Sequence, residues 1–204
     1  MSKSFGRIVL ASASRTRANL LKAANLNFDI IPSDLNEDEI KALAADPGSA
    51  IKSGDLALLL AQAKAVSVSQ RHPEAIVIGA DQTLILDEML LDKPTSRQEA
   101  QQQLLMLRGK THLLNTAAAC ARNGAVFWTT NQQSYLTMRE FTSKALANYL
   151  NAAGDELMSS VGGYKIEGPA IRLFTCIEGD YFSILGLPLL DILRTLREIG
   201  VTDE

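Results

Sequence analysis

The stretch 75-AIVIGADQTLILDEMLLDKP-94 constrains this chain more than any other. Its first part, 75–80, is an apolar run with β-branched residues at Ile76, Val77 and Ile78, which reads as a buried central strand. The run ends in Gly79-Ala80-Asp81, so a carboxylate is presented at the end of a buried element. Small residues before it let a ligand or a metal approach the backbone. The segment 84-LILDEMLLDK-93 reads as a hairpin turning at Asp87-Glu88, and it returns Lys93, a side chain able to meet a phosphate.

The elements around this stretch alternate. Residues 7–11 predict a first strand, and Ser14 can cap a helix over about 15–24. Arg15 and Arg17 lie in the first turn of that helix, where cations oppose the dipole. Arg17 is therefore either a solvated surface residue or a partner for an anion held by the helix N-terminal amides. A strand over 26–31 and Pro32 precede 34-DLNEDEI-40, an acidic stretch read as an irregular loop that could supply a carboxylate to a divalent cation. Asp46-Pro47-Gly48-Ser49 predicts a turn before a long helix of roughly 50–70. Lys64 falls late in it among alanines, where plain surface is the commoner fate.

Further on, Ser96-x-x-Glu99 forms a capping box for a helix of about 97–107, stopped at Arg108-Gly109. Two long strands, about 110–121 and 125–138, are joined by Asn123-Gly124, a strong hairpin signal. A helix over 142–152, a glycine-rich loop at 162–171, a strand over 170–177, a turn at 177–180 and a last helix over 188–199 follow. Pro188 is expected at N1 of that last helix, which presents Leu189, Leu190, Leu193 and Leu196. This order predicts an α/β fold: a mixed, elongated sheet with flanking helices and two lobes around a deep cleft. No linker or repeat divides the chain, so residues 1–204 are expected to form a single domain.

Composition excludes several function classes. The formal net charge of -3 offers no basic field for nucleic acid or anionic lipid. No apolar run approaches the roughly 18 residues of a membrane span, and the N-terminal apolar core is too short for a signal peptide. Cys120 and Cys176 both lie in apolar, strand-like text and read as buried thiols, which points to the reducing cytoplasm. His72 and His112 have no serine or cysteine nucleophile and acidic partner near them, so a hydrolase triad is not expected.

Taken together, LASASRTRANLL (10–21), the acidic segment at 34–39, LAQAKA (60–65), GADQ (79–82), DKP (92–94), GGYKIEG (162–168) and GLPLL (186–190) resemble the Maf-like nucleoside triphosphate pyrophosphatases. The resemblance runs nearly from end to end, in order and with compatible spacing. It implies hydrolysis of a nucleoside triphosphate to the monophosphate and pyrophosphate, with a divalent cation, magnesium or manganese. Asp81 matches the family's catalytic aspartate, which orients and deprotonates a water or holds the metal. Glu37 matches the acidic position that completes the metal site or shares base duty. Lys64 and Lys93 match two lysines that neutralise charge on the phosphoryl oxygens and the leaving pyrophosphate. Ser12, Ser14 and Arg17 match the first motif, which holds the triphosphate. The partner implied is a small-molecule nucleotide. Family members include dimers, so a homodimer is among the expectations, although no apolar element singles out an interface.

The departures concern the base. Where the first motif commonly reads Ser-x-Ser-Pro-Arg-Arg, Arg15 and Thr16 stand in place of the proline and the first arginine. Gln82 and Glu167 differ from the thymidine/uridine-preferring members and resemble those that act on 7-methylguanosine triphosphate. A carboxylate has only acceptors and suits the two adjacent donors of guanine's Watson–Crick edge. Members of the 7-methylguanosine type often carry an aromatic residue where Thr16 stands, and Thr16 cannot stack on a methylated base. The expectation is a methylguanosine-like substrate. The alternatives are a dTTP/UTP enzyme or a non-catalytic nucleotide-binding regulator of cell division.

Overall fold

The computed structural model describes residues 6–46 and 51–202. The turn expected at 46–49 falls largely outside the described residues. The strands are β1 (Ile8–Leu10), β2 (Asp29–Ile30), β3 (Ile76–Leu86), β4 (Met89–Leu91), β5 (Thr111–Arg122), β6 (Ala125–Met138) and β7 (Phe174–Glu178). The helices are α1 (Arg15–Ala23), α2 (Glu37–Ala45), α3 (Leu56–Arg71), α4 (Arg97–Leu107), α5 (Ser143–Ala153), α6 (Tyr181–Ile184) and α7 (Leu189–Glu198), with short 3-10 turns between some of them. The strands hydrogen-bond in the order β2-β1-β3-β5-β6-β7, and β4 pairs with β3 off this path. β1 is parallel to β2 and β3, whereas β3/β4 and β6/β7 are antiparallel, so the sheet is mixed.

The chain forms two compact units, one of Met1–Asp81, Thr116–Gln132 and Asp180–Glu204, the other of Gln82–Asn115 and Gln133–Gly179. Within the first, strand alternation sends successive side chains to opposite faces. One face carries Ile8, Leu10, Ile76, Ile78, Ala80, Ala118 and Cys120, and it is covered by Ala18 and Leu21 of α1 and by Leu189, Ile192 and Leu196 of α7. Thr130 and Gln132 of β6 both donate to Asp191 Oδ2, at 3.0 and 2.8 Å, and so fasten the first turn of α7. The other face is lined by small residues. Ala57, Ala61 and Ala65 of α3 lie against Ala117, Ala119 and Ala121 of β5. Val68 of α3 packs with Val9, Ala11 and Val77.

The second unit is built on α4 and α5. Ser96 accepts from the Glu99 amide at 3.1 Å, and the Glu99 carboxylate accepts from the Thr95 amide and hydroxyl at 2.8 and 2.7 Å, a cap shifted one residue outward from the expected box. Arg97 donates to the Leu150 carbonyl at 2.7 Å and ties the two helices. Tyr149 donates to the Gly163 carbonyl at 2.8 Å, which holds the glycine-rich segment over the helices. His112 is buried, 2.6 Å from the Tyr164 hydroxyl, and burial pushes its pKa down to about 4.

Several expectations change. The acidic stretch after Pro32 is irregular only as far as Asn36. Residues 37–45 form α2, because Asn36 precedes three acidic residues that favour a helix N-terminus, and the Asn36 side-chain Nδ2 donates to Glu39 Oε1 at 2.7 Å. The central strand does not stop at Ala80 but runs unbroken to Leu86, and positive φ at Asp87 and Glu88 turns it into β4. The strand expected over 26–31 shrinks to Asp29–Ile30. Cys120 is buried, its thiol pushed up to about 12 by burial, but Cys176 is exposed because β7 is an edge strand with little covering it. Pro188 is the N-cap of α7 rather than its first residue, and Leu190 is 60% exposed.

Candidate active site

The first unit gathers most of the chemistry, and a missing side chain makes that possible. α3 comes so close to β3 at Gly79 that a Cβ there would lie 2.7 Å from the Ala65 amide nitrogen. Lys64, on α3 beside this contact, therefore reaches the carboxylate that β3 presents two residues after Gly79. Its ammonium lies 2.6 Å from Asp81 Oδ1 and 2.8 Å from Glu37 Oε1. The side chains of Lys64 and Asp81 are only 8% and 12% exposed, while Glu37 is 40% exposed at the rim. Lys64 is thus not the plain surface lysine that its alanine neighbours suggested. Ala61 and Ala65 belong to the packed face of the helix. Glu37 arrives from the first turn of α2, so the helix that replaces the expected loop also aims this carboxylate.

Arg17 occupies the adjoining corner. Ser14 caps α1 by accepting from the Arg17 amide at 3.4 Å, as its position before the helix predicted. The Arg17 guanidinium donates through Nε to the Gly186 carbonyl at 2.8 Å. Through Nη1 it donates to the Ala80 carbonyl at 2.8 Å and to Ser12 Oγ at 3.1 Å. Burial lowers its pKa below the usual value, and the charges of Asp81 and Glu37 work against that shift. The arginine therefore joins the first motif, the residue before Asp81 and the loop before α7. Ser12 is itself buried and also accepts from the Ser14 amide at 3.3 Å. Thr16 lies on α1, half-buried.

Sequence reasoning missed how the 186–188 loop is held. Asp180 Oδ1 accepts from the Ser183 amide and hydroxyl at 2.7 and 2.8 Å and starts α6. Thr116 on β5 donates to the Ser183 carbonyl at 2.8 Å. The spacing Asp180-x-x-Ser183 is a helix-capping signal that could have shown this element.

The remaining candidates belong to the second unit. Gln82 follows Asp81 on β3, so strand alternation turns its side chain to the opposite face, where it is half-buried. Lys93 follows β4 and is exposed, and Glu167 is exposed in a turn. Among the described residues, no group of three or more His, Cys, Asp or Glu side chains converges as a metal cage. No helix among them is long and apolar enough to cross a membrane.

The chain is 42% identical over 191 residues to a 7-methyl-GTP pyrophosphatase of Brucella abortus biovar 1 (strain 9-941), covering 94% of this chain and 95% of that one. It is 44% identical over 198 residues to a nucleoside triphosphate pyrophosphatase of Maricaulis maris (strain MCS10), covering 97% and 99%. Among solved structures, a HAM1 protein from Coxiella burnetii superposes with a TM-score of 0.51 at 14% identity, covering 94% of this chain and 98% of that one, which is a likeness of fold. The profile of the Maf family, described as Maf-like protein, matches residues 7–199. The chain belongs to the Maf family.

Proposed function

We propose that this protein is a nucleoside triphosphate pyrophosphatase that hydrolyses a nucleotide between its α- and β-phosphates to the monophosphate and pyrophosphate, with 7-methyl-GTP as the favoured kind of substrate. The observation that carries this reading is the buried Lys64–Asp81 pair, with Glu37 reaching it from the rim, beside the Arg17 clamp. Burying the Lys64 ammonium and the Asp81 carboxylate costs free energy that their pairing only partly offsets, and charges kept in such places commonly serve a reaction. The names of the Brucella and Maricaulis relatives support the same chemistry.

Asp81 is the base. Lys64 holds its Oδ1 before the nucleotide binds, and in the reaction Oδ2 takes the proton of the water that attacks the α-phosphorus as the bond to the bridging oxygen breaks. Lys64 and Lys93 neutralise charge on the phosphoryl oxygens and on the departing pyrophosphate. Ser12, Ser14 and Arg17 hold the phosphate chain at the start of α1. Asp81 and Glu37 each bring an oxygen to the Lys64 ammonium, and these two hard donors would hold magnesium or manganese, which would supply charge neutralisation at the phosphoryl group. Gln82 and Glu167 select the base, Glu167 by accepting from guanine's donors. We include in this proposal cytoplasmic residence, a single functional domain spanning both units, and a homodimer.

Thr16 favours a second reading at the base, a dTTP or UTP enzyme, because it offers no ring to a methylated purine. A pyrophosphate-release assay with 7-methyl-GTP, dTTP, UTP and CTP, each with magnesium and with manganese, separates the two. Metal-dependent release that is lost in Asp81→Asn is expected. Unchanged turnover in that variant overturns the assignment of the base.

A further inference from the structure

The Lys64 ammonium sits where two carboxylates point. Its nitrogen is 2.6 Å from Asp81 and 2.8 Å from Glu37. These are charge-assisted hydrogen-bond lengths. Magnesium and manganese bind carboxylate oxygens at roughly 2.1 Å, so an ion drawing both oxygens inward cannot share the position with the ammonium. From this geometry we infer that Lys64 is a built-in placeholder cation. It occupies the carboxylate pair in the nucleotide-free protein, and metal enters productively only when a nucleotide arrives to receive the displaced ammonium.

The inference rests on the reading of Asp81 and Glu37 as metal donors, and charge counting extends it. In the resting group the Lys64 ammonium touches two carboxylates that also feel the charge of Arg17. A divalent ion placed between the carboxylates balances them and leaves the ammonium with no counter-charge. Lys64 lies on a helix packed through Ala57, Ala61 and Ala65, and its side chain is only 8% exposed, so water compensates it poorly. A nearby positive group also repels the incoming ion directly. The triphosphate chain removes both penalties, because its oxygens accept the ammonium and supply the remaining metal ligands. Metal and nucleotide therefore bind cooperatively, and the metal–nucleotide complex is the species the site recognises. Reciprocity requires that the nucleotide raise metal affinity by the same factor as the metal raises nucleotide affinity.

The test needs no turnover. Manganese binding to the nucleotide-free protein is measured at pH 8 by electron paramagnetic resonance of free ion and by calorimetry. Wild type, Lys64→Gln and Lys64→Met are compared, with thermal melts confirming that each is folded. Lys64→Arg, which keeps the cation, serves as the control should a neutral variant not fold. The neutral variants are expected to bind manganese at least tenfold more tightly than wild type, with the gain abolished by adding Asp81→Asn. Lys64→Arg is expected to stay within threefold of wild type. Equal or weaker manganese binding in the neutral variants, or a tenfold gain in Lys64→Arg, overturns the placeholder. Absence of pyrophosphate release by the wild-type protein would instead count against the proposed reaction, and would leave the binding comparison readable.

Discussion

Gly79 of β3 and Ala61 of α3 meet with no side chain between them: a Cβ placed on Gly79 would lie 2.2 Å from the Ala61 carbonyl oxygen. Backbone stands on both sides of this contact, so neither partner can swing away. Gly79→Ala should therefore push α3 off the sheet and destabilise the protein by about 2 kcal/mol or more. Because Lys64 rides on α3, activity should fall further than the loss of folded protein explains. Urea denaturation beside kcat measurements on the folded fraction checks this. A variant with unchanged stability would show that the contact is slack.

Arg17 spends its Nε and Nη1 on the carbonyls of Gly186 and Ala80 and on Ser12. Removing it orphans two carbonyls, at about 1–3 kcal/mol for each that is buried. Arg17→Ala should lower stability by about 3 kcal/mol. Arg17→Lys should restore only part of it, since an ammonium cannot make the same fork of bonds. An arginine that served only to touch phosphate would leave the thermal melt of the substrate-free protein where it was.

Glu167→Gln bears on the base. If the carboxylate accepts from guanine's donors, its loss should cost 7-methyl-GTP about 10- to 100-fold in kcat/KM, the equivalent of one mispaired buried group. Turnover of UTP should hold or rise. Side-by-side kcat/KM values for the two nucleotides decide it, and a wild-type preference for UTP would already remove the premise.

The buried pair of His112 and Tyr164 sets an acid limit to stability. Burial holds the imidazole neutral, with its pKa lowered from 6.5 to about 4. Between these values the unfolded chain binds a proton that the folded chain does not, so the neutral histidine's contribution is complete above pH 6.5 and is lost as pH falls toward 4. The loss amounts to about 3 kcal/mol. Denaturant titrations from pH 7.5 to 4.5 should show it, and His112→Gln should flatten that part of the profile.

The sequence showed the alternation of strands and helices, the two hairpins and most caps because each rests on local chemistry: Ser14 and Ser96 as caps, positive φ at Asn123 and Gly124. It concealed whatever depends on distant packing. The fate of Lys64 turned on the facing alanines of β5, more than fifty residues on. Cys176 lies in strand-like text, yet its exposure follows from β7 being an edge, which only the strand order reveals. The acidic run at 37–39 could have been read as a helix start, since three acidic residues after an asparagine favour one, but the loop reading took the run of charge as a mark of an irregular, solvated segment. Arg17 was visible as an arginine in an unfavourable place on its helix. That it answers to carbonyls of residues 80 and 186 was not visible, because backbone acceptors leave no mark in a sequence.

The alanine strip that joins α3 to β5 has a meaning for how this protein can vary. Where large side chains meet, a substitution can be absorbed by neighbours changing rotamer. Ala57, Ala61 and Ala65 against Ala117, Ala119 and Ala121 have no rotamers to change, so any added volume is translated into movement of the whole helix. The strip works as a ruler for the distance between Lys64 and Asp81. Added bulk there would show twice, as lower stability and as slower turnover of the molecules that do fold.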